Sequence, residues 1–244
     1  MHKCRLARKV KEFVITTDST VDLPKDFLEE KGVTVLALSY ILDGVTYQDM
    51  DGLSGKEFFD KIRNGSLPTT SQVNPEEARA VFEEIVKEGK DILHIAFSSG
   101  LSGTYNSCRI AGEELMEDYP GARVVVIDSL CASMGEGLLL YKALELKEQG
   151  KSLEEIAAWV EENKLHICHN VTVDDLFHLH RGGRVSKATA VLGTMVKIKP
   201  IIHMDNEGKL MVIGKERGRK KSIVNLVDRM EKQMGDYDNS VCMI

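Results

Sequence analysis

Short apolar runs recur along the first two thirds of the chain, each closed by small polar residues and followed by a helical repeat. Phe13-Val14-Ile15-Thr16, Val33-Thr34-Val35-Leu36-Ala37-Leu38, Ile92-Leu93-His94-Ile95-Ala96-Phe97 and Arg123-Val124-Val125-Val126-Ile127 are rich in β-branched and apolar residues. Continuous runs of this length predict buried strands. Between them, residues 25–31, 54–62, a stretch beginning at Asn74, and residues 103–116, 134–149 and 152–162 read as helices. Ser54 and Ser152 are each followed three positions on by a glutamate, Glu57 and Glu155, the spacing of a capping box. Asn74, Pro75 and Glu77 combine a cap, a fixed φ and an acid near the positive end of the helix dipole. Asp43-Gly44 predicts a turn that returns Val45-Thr46-Tyr47 as a hairpin partner, and residues 64–73 read as a loop.

Strand, polar turn and helix in alternation predict a parallel α/β sheet, here a three-layer first domain over residues 13–163. Residues 1–12 form a basic extension ahead of it. After residue 164 the texture changes. Leu165-His166-Ile167-Cys168-His169 alternates like a half-exposed strand, residues 174–180 suggest a short helix, and Arg181-Gly182-Gly183-Arg184-Val185-Ser186 suggests a tight basic turn. Residues 196–202 read as a strand with Pro200 at a bulge or edge. Asn206-Glu207-Gly208 turns that strand into residues 209–213; a helix over 219–234 and a final strand over 240–244 follow. This mixture predicts a second, smaller α+β domain over residues 164–244.

Composition narrows the classes. The formal charge of −6 gives no overall pull toward nucleic acid, and no apolar run approaches the ~20 residues of a membrane span. Five cysteines, an odd number with no close pair, argue for a reducing compartment, and cytoplasm is the expectation. The basic clusters at 3–11 and 215–221 fit either an acidic partner or a solvated face.

The chemistry concentrates in Ser98-Ser99-Gly100-Leu101-Ser102-Gly103-Thr104-Tyr105-Asn106-Ser107, between a strand and a helix. Backbone amides at a helix start favour an anion, and hydroxyls add to them; a serine-rich helix cap is the other reading. Two further strand ends carry small polar residues, Thr17-Asp18-Ser19 and Asp128-Ser129, and in parallel sheets such ends open toward a ligand crevice. Thr70 and Ser71 lie on another polar loop, with an ordinary turn as the alternative. Gly135-Glu136-Gly137 lacks the third glycine of a dinucleotide loop, there is no Walker-type loop, and Ser102 lacks a Gly-x-Ser-x-Gly elbow. His166, His169, His178 and His180 lack metal-ligand spacing and read as surface residues, while His94 inside an apolar run reads as a hydrogen-bonded core residue.

Six segments in order resemble the DegV family of bacterial fatty-acid-binding proteins. They are Thr17-Asp18-Ser19-Thr20-Val21-Asp22-Leu23, Thr70-Ser71-Gln72, Ser98 through Tyr105, Val126-Ile127-Asp128-Ser129, Arg181 through Ser186, and Lys197-Ile198-Lys199-Pro200-Ile201. The resemblance implies two α/β domains holding a long-chain fatty acid in a buried apolar slot, with no further cofactor and no metal. It implies that Thr70, Ser71 and Ser102 hold the carboxylate, and that Arg217 matches an arginine linked to the head group or to kinase docking. Asp18, Ser19, Ser99, Gly103, Asp128, Ser129, Arg184 and Ser186 would shape the supporting loops. In the FakB branch the protein is not itself an enzyme but presents the acid to a separate kinase, similar to dihydroxyacetone kinase, which makes the acyl phosphate. The rival expectation is a phosphotransferase or hydrolase acting at the Ser102 loop. The family continues to a His-Thr-Gly segment, whereas this sequence ends at Ile244, so the second domain is expected to be incomplete at its C-terminus.

Overall fold

The computed structural model describes residues 11–186, 198–236 and 239–244. Its centre is a parallel sheet of β1 (Phe13–Asp18), β2 (Thr34–Leu36), β6 (Asp91–Ala96) and β7 (Val124–Asp128), in the order β2-β1-β6-β7. The intervening strands β3 (Ser39–Leu42), β4 (Val45–Gln48) and β5 (Thr69–Ser71) form a separate antiparallel sheet, β4-β3-β5.

Strand periodicity sorts the core into two clusters. Phe13, Ile15, Leu93, Ile95 and Ile127 face α1 (Lys25–Glu30), α5 (Met134–Glu148) and α6 (Leu153–Asn163). Ile92 and Val124 face α3 (Pro75–Lys87) and α4 (Thr104–Asp118) on the other side. The first domain is therefore the three-layer sandwich that the alternation predicts. All three capping signals form as read: Ser54 starts α2 (Gly55–Arg63), Asn74 starts α3 and Ser152 starts α6, each with reciprocal bonds to its glutamate.

The second domain is an antiparallel hairpin, β8 (Ile198–Met204) and β9 (Leu210–Arg217), with α7 (Phe177–Arg181) and α8 (Arg219–Gln233). A register irregularity falls between Ile201 and Ile202, next to Pro200. Among the described residues its buried apolar cluster is Leu176 and Ile202, with Val171, Phe177, Leu210 and Val212 packed against them.

Four sequence expectations are corrected. Residues 69–71, expected in a loop, are a strand because β3 supplies a partner register, Tyr40 opposite Thr70. Residues 165–169 are not a strand: Lys164–His166 is a 3₁₀ turn that ends α6. The short helix covers Phe177–Arg181 rather than 174–180, after the Asp175 carboxylate accepts from Phe177 N. Residues 240–244 are apolar enough for a strand but take no place in a β-ladder among the described residues; their contacts are made by side chains, Ser240 Oγ accepting from Lys142 Nζ and Cys242 Sγ lying 3.6 Å from Met230 Sδ. The basic extension up to residue 10 and the expected strand residues Val196 and Lys197 lie outside the described residues. Among the described residues no helix is long and apolar enough to cross a membrane.

Candidate functional site

The C-terminal edge of the parallel sheet carries three polar corners, and the structure knits them into one assembly. At the β1 corner, Asp18 Oδ2 accepts from Phe97 N at 2.8 Å, and Ser19 Oγ accepts from Leu38 N at 3.0 Å. At the β7 corner, Asp128 Oδ1 accepts from Ser99 N at 3.0 Å and from Leu130 N at 3.2 Å. Ser129 N donates to Ala96 O, and its Oγ accepts from Cys131 N at 3.1 Å. Asp18, Ser19 and Ser129 are buried. These side chains therefore hold neighbouring backbone in place instead of facing an open crevice. Leu130 and Ser133 adopt positive φ (54° and 52°), so the loop after β7 is strained at two non-glycine positions.

Within the 98–107 stretch the serines divide the work. Ser98 is buried; its Oγ donates to Gly208 O at 2.7 Å and accepts from Gly100 N at 3.2 Å. The turn of the β8–β9 hairpin is thereby seated on the first domain. No side chain fits in this seam: a Cβ on Gly100 would lie 2.6 Å from Gly208 O and 2.7 Å from Glu207 O. Arg184 reinforces the contact from the second domain, its Nε donating to Leu101 O at 3.0 Å. Ser186, exposed, is the last described residue of that turn. Ser102 is half-buried at the start of α4, and its Oγ accepts from Thr104 N at 3.2 Å and lies 2.9 Å from Thr104 Oγ1. When the threonine hydroxyl donates across that contact, the Ser102 hydrogen is left for a ligand. The helix-cap and anion readings are thus compatible in one residue.

Thr70 and Ser71 reach this helix start through their neighbour. Gln72, adjacent in sequence, lies against Gly103, where any Cβ would overlap the Gln72 side chain, and Gln72 Nε2 donates to Ser107 Oγ at 3.2 Å. Gln72 is the contact that residue-type reasoning passed over; its signal was its place beside Thr70 and Ser71. Because Thr70 and Ser71 are successive strand residues, their side chains leave opposite faces of β5. Thr70 shares the face of Tyr40, which stacks on Tyr47 at 5.2 Å.

Arg217 stands apart. It is the last residue of β9, exposed, and about 23 Å along the strand from Leu210 beside the seated turn, at roughly 3.3 Å per residue. Among the described residues no hydrogen bond or ion pair engages its guanidinium, whereas Arg219 contacts Asp174 and Thr172. The structure therefore brings Gln72 against Gly103 and Ser107, beside Ser102, and leaves Arg217 at the far end of the hairpin; Thr70 and Ser71 are joined to that cluster through the chain at Gln72.

A family model described as "Uncharacterised protein, DegV family" matches residues 12–244. A DegV domain-containing protein of Clostridium perfringens is 47% identical over 227 residues, covering 92% of this chain and 78% of that protein. The chain belongs to the DegV family. Among solved structures, a stearic-acid-binding protein of Eubacterium ventriosum superposes with a TM-score of 0.86 at 28% identity, covering 93% of this chain and 78% of that one. A DegV family protein of Thermus thermophilus, described by its fatty-acid binding, gives 0.80 at 35% identity, covering 92% and 79%. DegV of Bacillus subtilis, a fatty-acid-binding protein, gives 0.79 at 33%, covering 91% and 78%.

Among the described residues of this DegV chain two histidines are buried. His94 is the core residue its setting predicts: Nδ1 lies 2.9 Å from Thr16 Oγ1, the ring packs edge-on to Phe82, and burial lowers its pKa to about 3. His169, expected on the surface, is instead buried and bridges the domains, Nε2 accepting from Ala132 N at 3.3 Å while Nδ1 contacts Ile167 O. Gly135 makes room for that ring. Among the described residues no His, Cys, Asp or Glu cluster is arranged to hold a metal.

Proposed function

We propose that this DegV protein binds a long-chain fatty acid whose carboxylate meets the Ser102 hydroxyl and the first turn of α4, with the Thr70–Ser71 strand as the facing wall. The observation that carries this reading is the convergence of Gln72, Gly103 and Ser102 at one helix start, a place whose amides and hydroxyls suit an anion. The printed descriptions of the Eubacterium, Thermus and Bacillus relatives support it. Burial of the acyl chain contributes about 0.8 kcal/mol per CH₂. Since Thr70 and Ser71 point to opposite faces, one hydroxyl of the two serves the ligand.

The protein acts as a carrier, not an enzyme, and hands its acid to a separate fatty-acid kinase. The unengaged Arg217, beside Lys215 on the exposed face of β9, supports a docking role better than a carboxylate contact. We take residues 13–163 and 164–244 as the two domains. The four described cysteines are free thiols, which supports a cytoplasmic address.

The test is mass spectrometry of lipid extracted from protein purified from a bacterial host, with added oleate as the titrant for delipidated protein. A long-chain acid is expected in near-stoichiometric amount, and Ser102→Ala should weaken oleate binding by about 1–3 kcal/mol. No extracted acid and no oleate binding would overturn the reading; unchanged affinity in Ser102→Ala would overturn the role of Ser102.

A further inference from the structure

Glu136 has no part in the proposed ligand site, yet it is completely buried in the first turn of α5. Gly137 lets α5 approach closely: a Cβ there would lie 2.9 Å from Val21 O. This approach carries the Glu136 carboxyl into the β1 corner beside Asp18. Thr20 Oγ1 lies between the two acids, 2.6 Å from Asp18 Oδ1 and 2.8 Å from Glu136 Oε2. A hydroxyl has one hydrogen. It can donate to one carboxylate only, so the other contact needs a hydrogen from the acid itself.

The remaining partners decide which acid carries it. Asp18 also accepts from Thr20 N at 3.1 Å and Phe97 N at 2.8 Å, the environment of a carboxylate. Glu136 meets only one other hydroxyl, Thr17 Oγ1 at 3.3 Å, and that hydroxyl lies closer to an acceptor, Ile95 O at 2.9 Å. We infer that Glu136 is a protonated positioning residue: its O–H donates to Thr20, Thr20 donates to Asp18, and Asp18 holds the Phe97 amide at the root of the Ser98–Gly103 loop.

The charged groups acting on this corner do not oppose that arrangement. They are acidic: Asp49 acts on Asp18, and Asp22 and Asp18 act on Glu136; the buried thiols of Cys108 and Cys131 lie alongside. Burial first, and then Asp18, push Glu136 well above the ordinary glutamate range. The positive end of α5 favours an ionised side chain, but by less than the cost of a second buried charge.

The proton count is independent of the ligand reading, so its test uses stability and spectroscopy. The native state holds a proton that unfolded Glu136 loses above about 4.5, so this contribution to stability falls as pH rises through neutrality. Glu136→Gln supplies a neutral donor at the same place. The variant is expected to match wild type below that pH and then to gain, the ratio of unfolding constants widening about tenfold per pH unit until Glu136 ionises. Wild-type protein labelled with carbon-13 glutamate should show a carboxylic-acid infrared band at pH 7 that the variant lacks. Parallel stability profiles, or no such band in wild type, would overturn the proposal. A Glu136→Gln chain that fails to fold would also count against it, because the amide reproduces the donor.

Discussion

Around the parallel sheet, Phe82, Leu93, Ile95, Leu139 and Ile156 are at 0% exposure and pack from both sides. Among the described residues of the second domain Leu176 and Ile202 form the buried apolar cluster, with Val185 and Ile201 also buried, while Ile223, Val224 and Val227 of α8 remain 45–51% exposed. The first domain has a core large enough to fix its own geometry. The hairpin takes much of its placement from contacts with the first domain: Ser98 on Gly208 and Arg184 on Leu101. A polar seam thus adds to the apolar contacts that place the second domain.

The largest effect should come from Phe82→Ala, which leaves a cavity in a closed core and costs about 3–5 kcal/mol. Denaturant melts should shift for the whole domain. Ile202→Ala should instead be felt in hydrogen exchange of the β8–β9 amides, with the central sheet protected; equal loss in both regions would break the contrast. Next comes the seam itself. Ser98→Ala leaves the buried Gly208 carbonyl without its donor, costing about 1–3 kcal/mol. Faster exchange in the hairpin, with β1, β6 and β7 unchanged, would show that one hydroxyl places the second domain.

How much of this was legible in sequence follows from the same contrast. Strands buried on both faces are continuous apolar runs, and β1, β6 and β7 were read from them. Caps depend on residues three apart, so Ser54, Asn74 and Ser152 were also legible. β5 is three polar residues whose extended state comes from β3, a partner far away in the pattern. The 240–244 run shows the converse, strand composition that joins no ladder among the described residues. In the candidate site, Ser102 and Gly103 stood out by local density of hydroxyls and glycine. Gln72, His169 and Glu136 did not, because each gains its meaning from a close approach of distant backbone. The pair of glycines around Glu136 is visible in the sequence, but their spacing there bears only on a nucleotide loop.

The smallest effects separate two neighbouring arginines. Arg219→Ala removes contacts to Asp174 and Thr172, yet Asp174 is largely exposed, so about 1 kcal/mol or less is expected. Arg217→Ala should leave the melting temperature unchanged. A larger loss for Arg217 than for Arg219 would show that it is a structural residue and remove the basis for its docking role.

The bare contact between Gly100 and Gly208 has an evolutionary consequence. A methyl group acquired on Gly100 would meet the opposite hairpin before anything in its own loop. The atoms it would meet are backbone, so no smaller side chain across the seam can make room, and a change at Gly100 has to displace a turn more than a hundred positions later in the gene. At this point the two halves of the protein share one mutational fate.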